Sequence, residues 1–141
     1  MLNNTGWNYV KVDKVVAGRY FCLEALTGQD SNDPVASIAE IELIGENGKK
    51  LSTQLWKVIY ADSEEITSVN NSADKIFDMQ ESIIWQTQIT GEKAKYPHQV
   101  VIDLGEEVKI SGVRILFRND NITVGRIKDY RIYLSQSPYR F

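Results

Sequence analysis

The chain has 141 residues, 43% of them hydrophobic and 25% charged, with a formal net charge of −3. That composition suits one globular domain with a sizeable core and excludes a disordered chain. The acidic balance, without any run of Lys or Arg, argues against nucleic acid and against an anionic membrane surface as partners.

Residues 1–18 mix Asn, Gly, Trp and Lys with a weak alternation at Val10, Val12 and Val15, and read as a linker or an edge strand. From Arg19 the chain turns aromatic and aliphatic, which predicts a strand over 19–26 ending in the turn-forming stretch 28–34. Cys22, the single cysteine, allows no internal disulfide and reads as a buried small hydrophobe. Alternation over 39–44 predicts another strand, and Asn47-Gly48 suits a tight hairpin turn. A strand follows at 56–61, and the only helical expectation is a short piece at 72–77. From 97 to 138 the pattern predicts three strands, with Val100, Ile102 and Leu104 sharing one side, Val113, Ile115 and Phe117 another, and Tyr130, Ile132 and Leu134 a third. Short strands with turn signals about every ten residues indicate an all-β sandwich or barrel.

Several pieces of that last region carry a resemblance: Ile102-Asp103-Leu104-Gly105, Ile110-Ser111-Gly112, Arg118, Gly125-Arg126-Ile127-Lys128-Asp129-Tyr130 and Tyr133-Leu134-Ser135. Their arrangement resembles the coagulation-factor type C, or discoidin, superfamily, and within it the family 32 carbohydrate-binding modules. The resemblance implies a jelly-roll β-sandwich of the galactose-binding-domain type over residues 19–141. The segments 19–25 and 36–43 are similar to a pattern that usually closes such domains, which implies a permuted domain or one cut from a larger protein.

The resemblance also names site candidates. Arg118 matches an arginine whose planar guanidinium suits vicinal hydroxyls; beside the resemblance, Asn119, Asp120 and Asn121 remain on its loop as substitute polar contacts, and Tyr96, Trp7 or Trp56 offers a stacking face if exposed. Val124 stands where the family has an asparagine. Asp78 and Glu40 match ligands of a structural calcium, but Met79, Gln80 and Ile83 depart from that loop pattern. No cofactor is therefore expected, and this pair supplies the only calcium candidates; in the alternative reading Asp78 caps its loop and Glu40 faces solvent or a basic neighbour.

Catalysis is not expected. The one histidine, His98, stands at the mouth of a strand and reads as a packing residue, and the glutamates, Glu64 and Glu65 among them, read as solvated loop residues. The implied function is a non-catalytic module that targets an attached glycoside hydrolase to a galactose- or hexosamine-type glycan. The alternative is a structural or protein-interaction domain packed on a neighbouring catalytic domain. The expected location is secreted, periplasmic or at the cell surface within a larger protein whose signal lies outside this chain.

Overall fold

The computed structural model describes residues 6–118 and 124–139. It is an all-β, jelly-roll sandwich built from seven strands: β1 (Trp7–Gly28), β2 (Ser37–Ile38), β3 (Glu40–Gly45), β4 (Lys57–Ala61), β5 (Trp85–Gln86), β6 (His98–Leu116) and β7 (Ile127–Ser135). A 3-10 turn at Ala73–Phe77 is the helical piece that the sequence placed there. All strand pairs are antiparallel. The larger sheet runs β3-β6-β1-β7 with β4 also on β6, and β2 pairs with β5 in a second, two-stranded sheet.

Two long strands organise the molecule. Residues 98–103 of β6 lie between β1 and β4, and residues 110–116 lie between β1 and β3. The ladder shifts register between Gly18 and Tyr20, opposite Gly105, whose φ is +85°. A Cβ on Gly105 would also lie 2.6 Å from Leu55 Cβ, so both conformation and space require glycine. Beside it, the Asp103 carboxylate accepts from Gly105 N and from Arg19 Nε, each at 2.8 Å, which ties the two strands together where they bend. The sequence predicted separate strands on either side of Gly105; the structure instead runs them as one strand, whose ladder with β1 is interrupted between Asp103 and Val108 at the bend.

Residues 7–18 are strand from Trp7 onward, paired with β6 and continuous with 19–28, so the expected boundary at 18/19 falls inside β1. Beyond the bend β1 becomes central, flanked by β6 and β7. That position explains the unbroken apolar run at Phe21, Cys22 and Leu23, because a central strand is covered on both faces. Phe21 and Leu23 enter the core, whereas Cys22 aligns with Val101 and Tyr133 on the other face.

The core joins the inward residues of both halves, Ile102 and Leu104 with Ile41, Leu43, Val113 and Ile115, around the fully buried Trp85 and Ile76. Each such aliphatic side chain contributes roughly 1.5–3 kcal/mol on burial. The one-sided sets predicted between 97 and 138 all belong to this core or pack against it. At the turn after β3, Gly48 takes φ +81° and its N–H bonds Gly45 O at 2.9 Å, as the Asn-Gly pair suggested.

Candidate functional site

One end of the sandwich gathers the loop after β1, the segments on either side of β5, and the connection from β6 to β7. Backbone bonds knit them together: Gln29 N to Arg126 O and Ser37 N to Gly125 O, both 2.8 Å, and Thr87 N to Ala36 O at 2.9 Å. Gly125 N also donates to Asp33 Oδ2 at 2.9 Å.

Arg118 leaves the end of β6 here. Its Nη1 donates to Gln86 Oε1 at 3.1 Å and to Val124 O at 3.3 Å, so the guanidinium is held from β5 and from the β6–β7 connection. It forms one wall of an open concavity of about 540 Å3, with Asn70, Asn71 and Lys75 as polar neighbours and Val69, Ile83 and Ile84 as apolar ones. No aromatic residue lines this space among the described residues. Asn119, Asp120 and Asn121 lie outside the described residues. Tyr96 lines a different cavity; its hydroxyl donates to Val35 O at 2.9 Å and its ring packs on His98 at 4.7 Å between centroids. Arg118 and Tyr96 are thus at one end of the fold but in separate hollows. Trp56 and Trp85 are buried, and Trp7 is covered by the Arg114 guanidinium at 4.6 Å, so none of the three is an open stacking platform.

The residue that organises this end was missed. Glu65 was expected to be a solvated loop residue, yet it is 0% exposed. Its carboxylate accepts from the backbone N–H groups of Thr67, Ser68, Ile89 and Thr90 at 2.7–2.9 Å and from the hydroxyls of Ser68 and Thr90. These bonds, led by that from Ser68 N, hold its pKa far below the usual carboxylate range. Glu64 is likewise engaged, accepting from Ala73 N at 2.7 Å. The adjacent acidic pair looked like surface charge because local sequence does not show two loops folding over it.

The calcium candidates come together. Glu40 is 3% exposed rather than facing solvent, its Oε1 has no hydrogen-bond partner among the described residues, and its carboxyl meets Asp78, with the charge of Lys50 also acting on it. Burial first, and then the Asp78 carboxyl, push its pKa up to about 8. Asp78 does cap its loop, accepting from Gln80 N at 2.9 Å, and Met79 holds the left-handed turn at φ +61° without a glycine. A buried carboxylate oxygen lacking a donor beside a second carboxylate fits a hard cation. Calcium here would be held by Glu40 and Asp78 and would supply charge neutralisation between β3 and the loop.

Among the described residues nothing at either place assembles a nucleophile with a base. His98 is buried with Nδ1 on Asp62 and Nε2 on Pro34 O, so both ring nitrogens are engaged in packing, as expected. Cys22 is sealed within the sheet and desolvation pushes its thiol up to about 12, which leaves it inert.

The F5/8 type C domain model matches residues 58–139. The chain belongs to the F5/8 type C domain family. A sialidase from Micromonospora viridifaciens is 35% identical over 75 residues, which cover 52% of this chain and 11% of that protein. The chain therefore spans about a tenth of its curated relative, and the matched part of this F5/8 type C domain holds β4 to β7 while β1 to β3 precede it. No helix among the described residues is long and apolar enough to cross a membrane.

Proposed function

We propose that this F5/8 type C domain is a non-catalytic carbohydrate-binding module that holds an attached glycoside hydrolase on its glycan. The observation that carries the reading is the guanidinium of Arg118, oriented by Gln86 and Val124 at the wall of an open concavity rimmed by Asn70, Asn71 and Lys75. Those two bonds fix the plane of the guanidinium, a planar donor group of the kind that suits adjacent sugar hydroxyls, and the amides and ammonium nearby extend the polar rim. The family match and the sialidase relative support a role beside an enzyme of glycans. Weak binding suffices for such a module, because tethering raises the effective concentration of the enzyme at its substrate. The ligand is a galactose- or hexosamine-type glycan, the unit comprises residues 19–141 with the preceding strand of β1, and the parent protein works outside the cytoplasm or at the cell surface.

A glycan array with wild type and Arg118→Ala tests this, with thermal melts confirming that both are folded. The expected result is binding to galactose- or hexosamine-terminated glycans that falls about tenfold or more in the variant, the loss typical of a hydrogen bond to a charged group. Silence from folded wild type, or equal binding by both proteins, overturns it. A docking role on a neighbouring catalytic domain is the second reading; it is favoured by the aliphatic lining at Val69, Ile83 and Ile84 and by the exposed Val124 where the family carries an asparagine.

A further inference from the structure

A second concavity, of about 360 Å3, opens at the same end between the last residues of β1, the loop that follows and the start of β7. It shares no lining residue with the Arg118 hollow. Its walls are fixed before any ligand arrives. Asp33 is locked by Val35 N at 3.0 Å and Gly125 N at 2.9 Å, and Asp129 by the Thr27 hydroxyl at 2.8 Å. Tyr96 is anchored through its hydroxyl to Val35 O. Its depth depends on Gly28, where an added Cβ would stand 3.1 Å from the Tyr96 hydroxyl oxygen. Asp30 and Lys128, both exposed, complete the rim.

We propose that this hollow is a second saccharide-binding site, which accepts a single pyranose ring that is neutral or amine-bearing and excludes acidic sugars. The inference rests on reading the chain as a glycan-binding module. Carboxylates are acceptors that take paired hydroxyl hydrogen bonds, Lys128 is a donor, and Tyr96 adds an aromatic surface whose polar end is already satisfied. The volume lies near the lower end of the roughly 300–1,000 Å3 typical of ligand sites, which fits one ring rather than a chain of them. Three carboxylates, Asp30, Asp33 and Asp129, stand against one ammonium, so a sugar carrying its own carboxylate meets net repulsion. Two separate hollows at one end would let the module grip a branched glycan at two points.

The test is a 15N-labelled full chain titrated by NMR with galactose, glucosamine and glucuronic acid. Wild type is compared with Arg118→Ala and with a Lys128→Ala/Asp129→Asn double variant, whose sites are exposed and whose folding the spectra report directly. Galactose or glucosamine should shift the amides of Gly28, Ser31, Tyr96 and Lys128, in Arg118→Ala as in wild type. The double variant should weaken that response about tenfold, as expected on losing charged hydrogen-bond partners, and leave the Arg118 end unaffected. The galactose and glucosamine arms separate hydroxyl recognition from amine recognition. Shifts confined to the Arg118 end overturn the second site while the proposed function stands, and shifts confined to the Tyr96 hollow do the reverse for the Arg118 assignment. Glucuronic acid moving the Tyr96 amides as strongly as galactose overturns the specificity and with it the proposal. No shift with any sugar overturns both.

Discussion

Glu65 shows how one side chain can set up the end of the sandwich that carries the proposed site without lining either hollow. Its carboxylate gathers donors from residues 67–68 and 89–90, fixing the loops on both sides of β5, and β5 carries the Gln86 that orients Arg118. Glu65→Gln keeps the shape but replaces one acceptor oxygen with a donor that faces N–H groups, so the variant should melt several degrees lower at neutral pH. The pH dependence has a definite sign. The folded pKa lies below the ordinary 4.5, so the stabilisation is complete above about 4.5 and is lost as pH falls from there through the folded value. Melting curves between neutral and acidic pH should show the wild type losing more stability than Glu65→Gln, and parallel curves would refute the role. Glu40 calls for a different experiment. If calcium satisfies its unpartnered oxygen, added calcium should raise the wild-type Tm over that in chelator, by linkage of binding to folding, and leave Glu40→Gln unmoved. Equal melting temperatures with and without calcium would remove the cation from the site.

At the scale of elements, the turns divide into those that local sequence announces and those that it hides. Asn47-Gly48 was read correctly because the turn needs only a residue tolerant of positive φ, and nothing lies within 4 Å of a Cβ placed on Gly48. Gly105 was read as a turn between two strands, whereas it is a bend inside β6. Its geometry depends on β1 and on Leu55, fifty residues earlier. The two glycines therefore predict different penalties. Gly48→Ala should cost about 1–2 kcal/mol, the ordinary penalty of a left-handed residue with a side chain. Gly105→Ala carries that penalty plus a clash with the Leu55 backbone, and should be the more destabilising of the two in denaturant melts. Equal losses would show that Leu55 moves aside freely.

Across the whole molecule, β1 decides whether the family segment is a folded unit. The matched residues 58–139 contain β4, β5, β6 and β7, yet β6 and β7 are held together through β1, which lies between them. A fragment of residues 58–139 would expose the facing edges of β6 and β7 and lose Phe21, Leu23, Ile41 and Leu43 from the core. It should give the collapsed amide spectrum of an unfolded chain, where the full chain gives a dispersed one. A dispersed spectrum from the fragment would show that β1 is dispensable.

The sequence by itself determined the all-β class, the family and most of the core. Period-two patterning and turn chemistry are properties of neighbouring residues, and Val100, Ile102, Val113 and Ile132 declare their faces within their own strands. It also marked Arg118 and the Glu40 and Asp78 pair through motif positions. Only the tertiary structure decided that Glu65 is buried, that Tyr96 and Arg118 open onto different hollows, that Glu40 faces a second carboxylate rather than solvent, and that β6 bends instead of breaking. Each of these depends on groups that the chain brings together from far apart, such as Gln86 with Arg118 or Asp33 with Gly125. Burial and hydrogen-bond partnership are set by that packing, whereas periodicity is set by the strand itself.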